Sequence, residues 1–250
     1  MKPSLLRSSA LLLLALLPCS PSYAFFDFVP TPTEWQAWPE YCRVEYAALM
    51  HGGGQSTEFG EEYSATTIEN WRERLGARTF SGIHHYCAGI HWLNRSQVET
   101  DKRERAFKLN TALEEVLYSA HQAEPQSVVY PEIMIMLSRV KVEMGDMEGA
   151  TAALQKTIAA QPAQVRPYGM LAMIYRKQHQ LGQAKETLEK ADAVAQGKSA
   201  EIQYNLGLIN LELGDVDAAV ANARQAYKMD YPLPWLKTRL QKMGKWPAEG

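Results

Sequence analysis

Small residues recur along the second half of the chain at a fixed interval. Ser138, Ala172 and Gly207 occupy one column, spaced 172 − 138 = 34 and 207 − 172 = 35, and each follows a leucine, Leu137, Leu171 or Leu206. A second column, Ala150, Ala184 and Ala219, lies later in each unit, with Leu154 and Leu188 beside it. Two antiparallel helices approach to about 8–10 Å only where the side chains between them are small. The columns therefore predict helical hairpins stacked in series, and a period of about 34 residues is that of a helix–turn–helix solenoid. Gly145 and Gly214 fall where the first helix of a unit must stop, and Asp146 and Asp215 follow as caps of the next. His179 holds the turn position in the middle unit.

The segments "GDMEGATAALQKTIAAQP", "LAMIYRKQHQLGQAKETLEKA" and "YNLGLINLELGDVDAAVANARQAYKMD" carry these columns. From about Pro131 to Tyr231 the chain resembles the tetratricopeptide repeat family. The resemblance implies an all-α, right-handed solenoid of about three hairpin units whose concave face binds a protein or peptide, without catalysis or cofactor. After it, "PWLKTRLQKMG" predicts a solvating cap helix with Trp235, Leu236, Leu240 and Met243 on its apolar side. In this family's geometry Arg139, Met173, Arg176, Tyr204, Leu208 and Leu211 face the groove, an apolar floor edged by positive charge. Ordinary solvated helix surface is the competing reading of the same residues. Asn205 resembles the asparagine with which some members hold a peptide's terminal carboxylate. The basic partner expected one repeat earlier is Gly169, so that clamp does not carry over.

The N-terminal half has weaker periodicity. Thr31-Pro32-Thr33-Glu34 is a capping-box arrangement with proline at the first helical position. Pro39 cannot sit deep in a helix, so the main first helix is expected from Pro39 to about Met50. "HGGGQSTEFGEE" lacks the strand and lysine of a phosphate loop and reads as flexible connection. Thr66 and Glu69 open a short helix with Ile68, Trp71 and Leu75 on one face, closed by Gly76. Ser81 to Leu93 then predicts the first helix of a degenerate repeat, with Ala88-Gly89 as its contact pair. Its second helix is expected at about Arg103–Ala123, after a turn longer than the family's.

Composition changes this picture mainly through the first residues. Lys2 and Arg7 precede the apolar run Ala10 to Leu17, and Ser22 and Ala24 supply small residues for cleavage. This is the pattern of a secretory signal peptide, its apolar core too short to span a membrane. Lipoprotein processing at Cys19 is disfavoured by Pro18. The expected divisions are 1–24 signal peptide, 25–125 N-terminal helical module, and 126–250 repeat array with cap helix. Cleavage would take the net charge from −2 to −2 − 2 = −4. Mild acidity argues against nucleic acid or an anionic membrane as main partner. Membrane association is expected only through a partner or a retained or lipidated N-terminus. Asn94-Arg95-Ser96 would be a glycosylation sequon only in a eukaryote, and the short signal points instead to a bacterial periplasm.

One stretch has the side chains of chemistry. "SGIHHYCAGIHWLNR" places His84, Cys87 and His91 on one helical stripe, with His85 adjacent. Cys42 would complete a Cys₂His₂ zinc set, so metal or haem handling is the alternative function. The preferred reading is a Cys42–Cys87 disulfide, because an even cysteine pair in an oxidising compartment tends to oxidise. No third residue can be nominated for a catalytic thiol. The function expected is a periplasmic scaffold that assists a cell-envelope complex such as a pilus, secretion or polysaccharide-export machine.

Overall fold

The computed structural model describes residues 28–52, 54 and 56–246. Segment 1–24, expected to be a signal peptide, lies with Cys19 outside the described residues. The described chain is all-α, its only extended pairing being one isolated bridge between Ser56 and Glu62. The N-terminal part holds α1 (Pro32–Ala37), α2 (Glu40–Met50), α3 (Ala65–Leu75), α4 (Ala77–Ser81), α5 (Ile83–Gln97) and α6 (Lys102–Gln122). Three hairpins follow: α7 (Tyr130–Glu143) with α8 (Met147–Ala160), α9 (Val165–Lys177) with α10 (Leu181–Ala195), and α11 (Ala200–Glu212) with α12 (Val216–Lys228). The last helix is α13 (Trp235–Lys242).

The two columns lie where the hairpins close. Ser138, Ala172, Ala150, Ala184 and Ala219 are fully buried, as are Leu154 and Leu188. A Cβ on Gly207 would stand 2.7 Å from Leu236 Cδ2 and 3.3 Å from the Ala219 carbonyl. The hairpin turns repeat as well. Gly145 and Gly214 have φ of 85° and 84°, the left-handed region that ends a helix without a Cβ penalty. Asp146 and Asp215 then accept from the Gly149 and Ala218 N–H groups at 2.8 and 3.1 Å. His179 takes the same turn at φ 61°, and α10 begins without a side-chain cap.

A fourth hairpin, α5 with α6, precedes the three. Gly89 faces Val116 so closely that a Cβ there would overlap it, and Ala112 is buried alongside. The expected long turn is absent. Instead α5 runs on to Gln97 and α6 starts at Lys102, where Asp101 caps it by accepting from Arg103 and Glu104 N–H. The start of α5 also differs, because Gly82 separates it from α4. One hydrophobic core runs from Trp35 and Trp38 through α5 and α6 to Ile133, Val140 and Ala153. The core therefore continues across the boundary expected at 125/126.

Three local expectations change. The cap of α3 is Ser64, which accepts from Thr67 N–H at 3.1 Å, and Thr66 lies inside the helix. The 51–62 segment packs on α1 and α2 where described: Phe59 stacks on Trp35 at 4.4 Å, and Glu61 accepts from Trp35 Nε1 and Arg43, both at 3.0 Å. It is a packed polar loop. On α13, Leu236 and Leu240 are fully buried but Trp235 and Met243 are 54% and 40% exposed, so the apolar side is one residue pair wide.

Candidate functional site

Residue pairs from distant parts of the chain fasten α1 and α2 onto α5. Cys42 and Cys87 are joined, with S–S 2.04 Å and Cα–Cα 5.7 Å, and both are buried. Glu34 belongs to the α1 capping box, where its side chain accepts from Thr31 N–H at 2.8 Å. It also takes Arg95 Nε and His91 Nδ1 at 3.1 Å each. Burial pushes the Glu34 carboxyl up, but Arg95, Thr31 and His91 together hold it at about 2.

The imidazoles of α5 turn to separate carboxylates. His84 Nδ1 lies 4.0 Å from Glu45 Oε1, and His85 Nδ1 lies 2.6 Å from Glu115 Oε2. His91 meets Glu34 and stacks on Phe28 at 3.7 Å. With the Cys87 sulfur bonded to Cys42, the alternative ligand set His84, Cys87 and His91 is not assembled. Among the described residues no group of three His, Cys, Asp or Glu side chains could hold a metal ion. Burial raises Glu45 to about 7 against the pull of Arg72, and burial with neighbouring His85 lowers His84 to about 4. Both side chains are buried, and the region joins α1 and α2 to α5.

Among the cavities of the array, one of about 330 Å³ lies between α8, α9 and α10, lined by Gln155, Tyr168, Tyr175 and Lys190, and two others lie along the first helices of the hairpins. A cavity of about 310 Å³ runs between the end of α5, α7 and α9. Val142, Met170, Met173 and Ile174 form its floor, and Arg139, Lys177, Glu143 and Gln97 its rim. Met173 and Lys177 also line a second cavity of about 620 Å³, bounded by Arg176, His179, Leu181 and Glu212. The local cause is the register of α9: Arg166, Met170, Met173 and Lys177 recur at i, i+4, i+7 and i+11, which is one face of a helix. Arg176 donates from Nε to Glu212 at 2.8 Å across the gap to α11.

Of the groove residues expected from sequence, Arg139, Met173 and Arg176 lie at these cavities. Tyr204 and Leu208 do not. They are 5% and 7% exposed, packed with Leu236 and Leu240 of α13, and Tyr204 lies against Tyr231 at 4.4 Å. Leu211 is partly buried in the same cluster. The cap helix covers the end of the array, which turns the last repeat's inner face into core. Asn205 is buried too. Gln97, Val142, Met170, Ile174 and Lys177 were not singled out from sequence, although the α9 spacing marks two of them.

A stack of helical hairpins with one open inner face is the architecture of a helical repeat protein, a class built for contact with other chains. Residues 165–197 and 200–231 each match the family model of the tetratricopeptide repeat, and the chain carries tetratricopeptide repeats. Among solved structures it is similar to a MamA crystal structure, with 17% identity, 72% of this chain and 98% of that chain covered, and a TM-score of 0.43. It is similar to TTC0263, a thermophilic TPR protein of Thermus thermophilus, at 21% identity, 63% and 84% coverage and 0.46. YrrB, a TPR protein with an unusual peptide-binding site, aligns at 14% identity, 71% and 86% coverage and 0.48. No curated protein matches the sequence.

Proposed function

We propose that this chain is an exported, non-catalytic adaptor that holds a segment of a partner protein in the groove between α5, α7 and α9. It would thereby assist assembly or operation of a cell-envelope complex, such as a pilus, secretion or polysaccharide-export machine. The groove carries the reading. Its floor offers partly buried apolar surface from Val142, Met170 and Met173, with polar side chains along the rim. That is the anatomy of a site that seats an anchor side chain and orients the peptide around it. The export half of the reading is supported by the basic start, apolar run and small-residue cleavage site of residues 1–24.

Paired truncation tests the groove. Met170→Ala with Met173→Ala should weaken capture of the partner about tenfold or more, while helicity stays intact. Phe107→Ala is the control, since Phe107 is exposed on α6, which lines neither cavity. Full capture by the methionine variant would overturn the assignment. Export is read separately: the periplasmic form should begin at Phe25.

A further inference from the structure

The acids that line the groove are already engaged. Glu143 meets Arg105 at 2.7 Å, and Glu212 holds Arg176. Arg139 and Lys177 line the first cavity and enter no ion pair among the described residues. Arg166 extends the α9 row, is exposed, and is equally unpaired. Of the charged side chains that line the two groove cavities, those left outside an ion pair among the described residues are therefore positive, in a chain whose formal net charge is −2; Glu132, on α7 outside the lining, accepts from the Tyr41 hydroxyl. Both arginines are felt at Tyr86 on α5: burial and then the Glu132 carboxylate push its phenol up to about 12, while a hydrogen bond with Tyr41 and the charges of Arg166 and Arg139 pull the other way.

A low-dielectric floor edged by charges of one sign raises the local concentration of ligands of the other sign and rejects like-charged ones. We infer that the groove takes an acidic peptide segment of a partner protein, whose side-chain carboxylates meet Arg139 and Lys177 while an apolar residue between them seats on Met170 and Met173. The inference rests on the groove reading above and adds the chemistry of the partner. Side-chain carboxylates suffice, so no free chain end is required.

Two synthetic peptides test it on the full chain, both with blocked termini. One interleaves glutamate with leucine, and the other interleaves lysine with leucine. Fluorescence anisotropy should show the acidic peptide binding, with affinity falling as salt rises, and the basic peptide failing to bind. Arg139→Glu with Lys177→Glu should weaken the acidic peptide by at least about tenfold and admit the basic one, with unchanged circular dichroism. Failure of the acidic peptide to bind overturns the inference, as does equal or better binding of the basic one. So does undiminished acidic binding by the charge-reversed chain. Phosphatidylglycerol vesicles that displace the acidic peptide at equal charge would reassign the groove to an anionic surface. The methionine pair separates the two claims. If its truncation abolishes partner capture and charge reversal leaves capture intact, the groove stands and the acidic partner falls.

Discussion

A leucine at position 207 would enter a helix contact that has space only for hydrogen, with Leu236 on one side and the α12 backbone on the other. Overpacking of this kind costs about 1–3 kcal/mol. Gly207→Leu should lower the melting temperature and loosen α11 and α13 first; an unchanged melting curve would contradict the repeat register. Glu45 gives a pH signature at the same scale. Its folded pKa is raised to about 7 from an ordinary 4.5, chiefly by burial. Between those values the folded chain keeps a proton that the unfolded chain has released, so this group's contribution falls as pH rises through the window. Glu45→Gln should therefore stabilise the protein increasingly as pH rises from about 5 to 8, read as a growing difference in melting temperature. A constant difference would contradict the burial argument. His84 acts at the other limb: its pKa is lowered to about 4 from 6.5, so its contribution is lost as pH falls between them.

At the scale of elements, the Cys42–Cys87 bond fixes α2 to α5 across a separation of 45 residues. Loop-closure entropy makes such a link worth on the order of 4 kcal/mol. Cys42→Ala with Cys87→Ala should lower the unfolding temperature, with α1 and α2 losing amide protection before α9 to α12. Uniform loss of protection across the chain would contradict this order. The repeat helices were legible in sequence because each hairpin repeats the same local steric demand, small residue against small residue. Ser138, Ala172 and Gly207 announce it without any long-range information. The break between α4 and α5 was not legible, since a single Gly82 inside a helix-compatible run carries no clear stop signal. Nor was the packed 51–62 loop, whose order depends on Glu61 meeting Trp35 and Arg43 from distant positions. The capping role of Glu34 could be read locally, but its clasp on Arg95 and His91 could not.

Over the whole molecule, one core joins the N-terminal helices to the first repeat, and the cap helix buries the inner face of the last. On the inner face, the groove lies open at the middle of the array, along α7, α9 and α11. That is why half of the expected groove residues lie at cavities and Tyr204 and Leu208 lie in core: a residue's repeat position fixes which way it points, while the neighbouring helix decides whether that direction is open. The central claim is that the groove between α5, α7 and α9 is the surface that holds a partner. Site-specific photo-crosslinking tests it most directly, with a benzophenone side chain placed at Met173 in one chain and at Phe107 in another. The account predicts crosslinks from position 173 to one defined segment of one protein, and none to that segment from position 107. Crosslinking of the segment from position 107, with none from 173, would contradict it.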